Sequence, residues 1–355
     1  MSAPSPTDTP AAIASVAGPV EARLRSILQH EQDRWVAVDA DLDAPMRVLS
    51  DFVLTGGKRL RPAFCHWAFL GAGGDPADER VVDAGAAFEL LHAFALVHDD
   101  VMDGSSTRRG QPTVHLSFEA DHEAAQWGGE SRRFGEGVAI LVGDLAEVYA
   151  DRLMTGAPEA AFRIWNELKI ELNIGQFLDV LGAARGDVDL QTARRIVHYK
   201  SGKYTIERPL HIGAALADRL DELEVPLSLF GEPLGEAFQL RDDILGTFGD
   251  SNRTGKPVGD DLREGKPTPM LAIARDRATK KQRTTLGRVG SPDIRLDEIF
   301  EIQTIFGETG ALAEVETSIR SLTSAAIAAL DNAEITAEAQ TSLVELAIYV
   351  GDRDY

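Results

Sequence analysis

Cysteine is nearly absent: one thiol, Cys65, occurs in 355 residues. An internal disulfide and a cysteine-built zinc site are both excluded, and the usage fits a reducing compartment. Aromatic residues make up only 6% of the chain; with Ala and Leu plentiful, this favours helix over strand. Positive charge is also scarce. Against 36 Lys and Arg stand 57 Asp and Glu, a formal net charge of −21, which argues against a nucleic-acid or anionic-membrane binder. An anionic substrate remains compatible, because a few cations can gather in one cleft. No apolar run reaches the ~20 residues of a membrane helix. Residues 1–18 are rich in Ala, Pro, Ser and Thr without a basic start, and read as a disordered tail rather than a signal peptide. The expectation is a cytoplasmic, mainly helical protein, long enough for one large or two ordinary domains.

What is present is acid, concentrated at two places. His98-Asp99-Asp100-Val101-Met102-Asp103 closes the apolar run Phe88 to Val97. On a helix Asp99 and Asp103 lie one turn apart, with Asp100 nearby, so three like charges share one end of a buried element. That is unfavourable unless cations sit among them, and hard oxygen ligands suit Mg²⁺. A second pair, Asp242-Asp243, ends another apolar helical stretch, Gly235 to Leu245.

Cations accompany both clusters. Gly56-Gly57-Lys58-Arg59-Leu60-Arg61-Pro62 opens a helix, with Pro62 in its first turn. Free amides, the positive end of the helix dipole and fixed charge meet there, an arrangement suited to phosphate and also found in ordinary basic turns. Arg108-Arg109 follow the first acidic cluster within a loop-like segment, 104–113. The next helices span about 138–154 and 158–181, the latter carrying Gln176 and Asp179 on one face. A helix over 192–217 contains Lys200-Ser201-Gly202-Lys203, where Gly202 permits a kink. Before these, 20–54 reads as two helices interrupted at Pro45. Residues 221–226 read as a connection, and Gly246 to Lys266, rich in Gly and polar residues, as a long ordered loop. His92, inside the apolar helix, reads more readily as a satisfied core residue than as a ligand.

Placed opposite one another, the two acidic helix ends would rim a cavity with aliphatic walls. Mg²⁺ held between carboxylates and phosphate oxygens would take up charge developing on a departing diphosphate, and the walls would keep water from a carbocation. No Ser/His/Asp or Cys/His nucleophile arrangement stands out.

These ordered motifs resemble those of the trans-isoprenyl diphosphate synthases over roughly residues 20–350. Gly56 to Pro62 resembles the isopentenyl diphosphate motif of that family. Asp99 to Asp103 with Arg108 and Arg109 resembles its first aspartate-rich motif. Phe238-Gln239-Leu240-Arg241-Asp242-Asp243 resembles the second, and Thr254-Gly255-Lys256 and Glu264-Gly265-Lys266 the lysine segments after it. The resemblance implies the isoprenoid synthase fold, all-α, with residues 19–355 forming a single large helical bundle around a central cavity; it also implies homodimers, and Mg²⁺-dependent condensation of isopentenyl diphosphate with dimethylallyl, geranyl or farnesyl diphosphate. It implies three Mg²⁺ ions, two at the first motif and one at the second, with Asp99, Asp103 and Asp242 as main ligands and Asp100 and Asp243 assisting. Arg108, Lys200, Lys256 and Lys266 would hold the allylic diphosphate, and Lys58, Arg61, His92 and Arg109 that of isopentenyl diphosphate. Gln176, Asp179, Ser201 and Gln239 match polar positions near the reacting carbons or metals. The released diphosphate would serve as the base.

One departure concerns the second motif: the position of a third Asp, four after Asp242, is Gly246. Product length in this family is set one turn before the first motif, here at Phe94 and Ala95. One bulky and one small residue, with no insertion in the motif, favour geranylgeranyl diphosphate, with farnesyl diphosphate second. A terpene cyclase would lack the Gly-Gly-Lys-Arg and lysine segments, and a catalytically silent regulatory subunit would lack acidic-motif residues.

Overall fold

The computed structural model describes residues 9–186, 188–249 and 258–352. Helices dominate them. α1 (Ala11–Val36), α2 (Asp43–Leu54), α3 (Leu60–Gly71) and α4 (Arg80–Asp103) come first, then α5 (Val114–Ala124), α6 (Ser131–Met154) and α7 (Glu159–Arg185). α8 (Leu190–Val197) runs into a π-helical segment, His198–Glu207, which continues as α9 (Arg208–Leu216). α10 (Leu220–Phe248) is the longest, and α11 (Asp260–Glu264), α12 (Pro269–Arg277), α13 (Lys280–Leu286), α14 (Leu296–Glu308), α15 (Ala311–Ala329) and α16 (Ala337–Asp352) complete the chain.

α4 is the centre because it has no polar face over most of its length. Ala84, Ala87, Phe88, Leu90, Leu91 and Val97 are buried on different sides, as a helix apolar all round requires. It packs along α6 and is flanked by α1, α2 and α3. At its far end Phe88 and Trp165 of α7 meet edge to face, centroids 5.5 Å apart, where Trp165 donates from Nε1 to Asp151, 2.7 Å away. Gly104, with φ +65°, stops α4 in the left-handed conformation that glycine adopts without strain. α4 is also the one helix among the described residues long and apolar enough to cross a membrane by composition, although 67% of that window is buried inside the bundle.

Three segments depart from the sequence expectation. The tail expected over 1–18 gives way to helix at Ala11, and Ala12, Ile13 and Val16 are buried. The amides of Ala11 and Ala12 donate to Glu345 of α16 at 3.1 and 3.0 Å, a cap supplied from the other end of the chain. The break expected at Pro45 lies earlier, between Val36 and Asp43, and Pro45 sits in the first turn of α2 where its missing N–H costs nothing. Residues 221–226, expected as a connection, belong to α10, which carries both Pro226 and Pro233 internally. Burial of Leu223, Leu227, Phe230 and Leu234 along one face outweighs the two lost ladder bonds.

Candidate active site

The C-terminal end of α4, the π-helical segment and the last turns of α10 converge on a cavity of about 470 Å³. Its polar end is lined by Asp99, Arg108, Gln176, Lys200, Gln239, Asp242, Asp261 and Lys266, and a second group, Lys58, Arg61, His92 and Arg109, lies on the α3 side. Ala95, Leu96 and Leu172 form apolar wall.

Each acidic residue of α4 has a different environment. Asp99 Oδ1 accepts from Lys200 Nζ at 2.9 Å and Gln176 Nε2 at 2.8 Å. Burial opposes its ionisation, yet the Lys200 ammonium, with Lys266 and Arg108 beyond it, holds the carboxyl well below the usual range. Asp100 is buried and takes a two-pronged contact from Arg108, Nε at 2.8 Å and Nη2 at 2.6 Å on Oδ1. Asp103 has a buried Oδ2 with no hydrogen-bond partner. Burial and the Asp99 charge one turn away push it up to about 7.

The arginine pair is split by a tight hairpin. Thr107–Arg108 pairs with Gln111–Pro112, and Arg109 (φ +54°) and Gly110 (φ +75°) occupy the two left-handed positions of the turn. Arg108 therefore turns to Asp100, while Arg109 donates to the carbonyls of Phe52, 3.2 Å away, and Thr55.

In the basic segment before α3 the three cations separate. Arg59, itself at φ +49°, is buried against Glu89 of α4 and donates to the Val53 carbonyl at 3.2 Å. Arg61 donates to Thr205 Oγ1 at 2.9 Å and lies over the Tyr204 ring at 4.1 Å. Tyr204 Oη is 2.7 Å from His92 Nδ1. Burial, then the Arg61 charge, holds His92 well below its ordinary pKa, so it is a neutral imidazole.

The π-helical segment brings Lys200, Ser201, Tyr204 and Thr205 to the cavity together. It fits only because α7 and α10 present glycine to it. A Cβ at Gly175 would stand 2.3 Å from the Lys200 amide nitrogen, and one at Gly235 would stand 2.7 Å from Gly202 Cα. Lys200 Nζ also contacts Asp179 Oδ2 at 2.5 Å, and Asp99 and Asp179 together raise its pKa against the effect of burial.

On α10, Asp242 lines the cavity. Asp243 is buried, accepts from Gln239 Nε2 at 2.7 Å through Oδ1, and leaves Oδ2 without a partner. Burial, then Asp261, raise its pKa well above the carboxylate range. Lys266 Nζ contacts Asp261 Oδ1 at 3.1 Å and Glu264 Oε2 at 2.9 Å.

Most of the residues singled out from sequence line this cavity, and Asp179 and Asp243 line the small cleft beside it; Asp100 lies behind Arg108, and Asp103, one turn beyond Asp99, lines neither. Lys256 lies outside the described residues. Phe94 does not line the cavity and packs on the His98 ring, centroids 4.6 Å apart, and His98 Nε2 in turn lies 3.0 Å from the Ile140 carbonyl of α6. Of the expected floor pair, only Ala95 faces the cavity. Sequence reasoning missed Glu89, Leu172, Tyr204, Thr205 and Asp261. Among these only Tyr204 and Thr205 carried a signal, lying four residues after Lys200 and Ser201 respectively.

Residues 44–301 match the family model described as polyprenyl synthetase. This chain belongs to the polyprenyl synthetase family. It is similar to the geranylfarnesyl diphosphate synthase of Aeropyrum pernix, 34% identical across 76% of this chain and 81% of that protein. It is also similar to the geranylgeranyl diphosphate synthase of Mycobacterium tuberculosis, 38% identical across 63% of this chain and 60% of that one. In the crystal structure of a geranylgeranyl pyrophosphate synthase from Corynebacterium glutamicum, complexed with isoprenyl diphosphate and magnesium, the fold superposes with a TM-score of 0.86 at 38% identity, covering 94% of this chain and 98% of that one. Membership makes the chain a prenyltransferase, an isoprenyl diphosphate synthase that elongates prenyl chains, and its all-α architecture is that of the solved polyprenyl synthases.

Proposed function

We propose that this enzyme condenses isopentenyl diphosphate with an allylic diphosphate in a Mg²⁺-dependent reaction, and that its main product is geranylgeranyl diphosphate. The observation that carries the reading is the polarity of the cavity: acids and cations from α4, the π-helical segment and α10 at one end, Ala95 and Leu172 at the other. The residues present fit Mg²⁺. Asp99, Asp103 and Asp242 offer hard oxygen donors, and the buried, unpartnered Oδ2 of Asp103 is an atom that needs a cation. Among the described residues no group of three acids or imidazoles closes on an ion unaided, which fits ions that complete their shells with diphosphate oxygens and water. Bound Mg²⁺ would supply Lewis-acid stabilisation of the departing diphosphate.

The chain's own residues do the rest. Lys200, Arg108 and Lys266 offer fixed charge to the allylic diphosphate, which developing negative charge makes worth more as the bond breaks. Lys58, Arg61, Arg109 and neutral His92 face the second diphosphate from the α3 side. Ser201, Gln176 and Gln239 turn dipoles toward the reacting carbons, Asp179 holds Lys200 in place, and Leu96 and Leu172 keep water off the cation. The proton leaves to the released diphosphate. Beyond Ala95 and Leu172, the next turns of α4 and α7 present Leu91 and Leu168, both fully buried. Their burial supports a floor one turn, ~5.4 Å, below a farnesyl stop at position 95.

The enzyme acts as a homodimer. α6 exposes Leu141 and Val148 at 62% and 60%, and α7 exposes Ile170, Ile174 and Phe177 at 53%, 49% and 65%. Two adjacent helices with that much bare apolar surface suit a self-complementary contact. The decisive assay incubates purified protein with Mg²⁺, isopentenyl diphosphate and dimethylallyl, geranyl or farnesyl diphosphate, followed by chromatography of the dephosphorylated products. Geranylgeraniol as the main product is expected. A failure to elongate any of the three primers would overturn the enzyme reading and leave a regulatory subunit.

A further inference from the structure

Lys200-Ser201-Gly202-Lys203 holds two lysines, and an α-helix would set residues three apart on one side. The wider π turn separates them. Lys200 lines the cavity and contacts Asp99 and Asp179, whereas Lys203 does not line it. The Lys203 ammonium lies 3.5 Å from Glu171 Oε1 and 3.2 Å from Glu207 Oε2. Glu171 is buried, with 7% of its surface exposed, and also accepts two hydrogen bonds from Arg208, Nε at 2.8 Å and Nη2 at 2.6 Å. Ser228 of α10 donates to Glu207 Oε1 at 3.1 Å. Two acids and two cations thus balance in a largely buried cluster that does not line the cavity. Glu171, Gly175 and Asp179 follow one another at four-residue spacing, so one face of α7 carries all three. Gly175 admits the backbone at Tyr199 and Lys200. Asp179 takes Lys200 on one side of that approach, and Glu171 takes Lys203 and Arg208 on the other, ~12 Å away along the helix.

We infer that Glu171 is a positioning residue: by holding Lys203 and Arg208 it fixes the register of the π-helical segment, so that Lys200 and not Lys203 meets the allylic diphosphate. Two acids eight residues apart on one helix pin the segment at two points. With the Glu171 pin gone, Asp179 alone does not define how the chain winds between Lys200 and Arg208. Lys203 then becomes a second ammonium, three residues from the first, that competes for Asp99 and Asp179. Burial opposes the ionisation of Glu171, yet Arg208 and then Lys203 hold its carboxyl below the usual range, so the pin is charged at neutral pH. This role rests on Lys200 being a ligand of the allylic diphosphate, as proposed, and adds the residue that delivers it.

An ion cluster that merely stabilised the fold would also lower stability when broken, so stability and position are read apart. Glu171→Gln strands one buried cation and should lower the melting temperature. Glu171→Gln combined with Lys203→Met leaves Glu207 and Arg208 in balance and should recover most of that loss. Neither variant should recover the register. In both, amides 198–207 of the ligand-free full-length protein should exchange hydrogen about tenfold faster than in the parent protein. Binding of geranyl diphosphate with Mg²⁺, read by calorimetry without isopentenyl diphosphate, should weaken about tenfold, the worth of one charge-assisted hydrogen bond. A double variant with the exchange protection of the parent protein would overturn the inference, as would one that binds geranyl diphosphate as tightly as the parent does. The exchange readout needs no ligand, so a parent protein that binds no geranyl diphosphate would sink the functional reading and leave this test intact.

Discussion

Arg59 and Glu89 are the pair whose separation should be felt most. Both are buried, with 4% and 5% of their surface exposed, and Arg59 also holds the Val53 carbonyl at the end of α2. Replacing Arg59 with Met keeps the bulk of the side chain and removes the charge. Glu89 is then left ionised, or forced to protonate, inside the bundle, and stranding one member of such a pair costs about 3–5 kcal/mol. For 355 residues the unfolding entropy is about 0.75 kcal/mol/K, so the melting temperature should fall by about 4–7 °C. Urea unfolding and calorimetry on the Mg²⁺-free protein would measure both quantities. Glu89→Gln added to Arg59→Met should recover part of the loss, because the stranded charge is gone. Lys58→Met, one residue away but half-exposed, should shift the melting point less and raise KM for isopentenyl diphosphate. If Arg59→Met melted within about 1 °C of the parent protein, the assignment of this cation to the scaffold would be wrong.

Asp103 gives a pH signature. Its pKa is raised to about 7 in the folded protein by burial and Asp99, above its ordinary unfolded value, so the native state binds more protons between the two. Stability of the Mg²⁺-free protein should therefore decline as pH rises from about 4 through 7. Asp103→Asn should flatten that slope in calorimetric scans while abolishing elongation. Ala95→Phe should shorten the product toward farnesyl diphosphate, and an unchanged chromatogram would exclude position 95 as the stop. Phe94→Ala should leave product length unchanged and cost stability, since Phe94 is buried against His98. Phe177→Glu should convert dimers to monomers by light scattering, and a monomeric parent protein would refute the α6–α7 contact.

The site was legible wherever chemistry-bearing residues stand close in sequence. Asp99 to Asp103, Arg108-Arg109 and Asp242-Asp243 announce themselves because like charges at helical spacing need a reason. What could not be read was direction. Lys58, Arg59 and Arg61 are equivalent as letters, and only the left-handed backbone at Arg59 and the path of α4 decide that Arg59 turns inward to Glu89. Phe94 and Ala95 are neighbours, yet a helix separates adjacent side chains by ~100°, so one packs on His98 and the other lines the cavity. Asp261 was hidden for another reason: it fills the place that Gly246 leaves without a side chain, fifteen residues away in sequence, and only tertiary packing brings the two together. The start of α1 was misjudged because its composition is that of a tail, while the burial of Ile13 and Val16 and the cap from Glu345 are tertiary.

The π-helical segment between α8 and α9 has a consequence for how the enzyme can change. A π turn carries one residue more than an α turn, so the segment is a helix with its count stretched. Deleting one residue between His198 and Glu207 would let the helix relax to α-geometry, rotating α9 or withdrawing Lys200, Tyr204 and Thr205 from a shared frontage. Widening is no easier, because Gly175 and Gly235 already bring the backbones of α7 and α10 to the limit of approach. Substitutions along the apolar walls can therefore alter how long a chain the cavity accepts. The chemical end is held by a backbone count and two hydrogen atoms where side chains would otherwise be, and sequence drift there has almost nowhere to go.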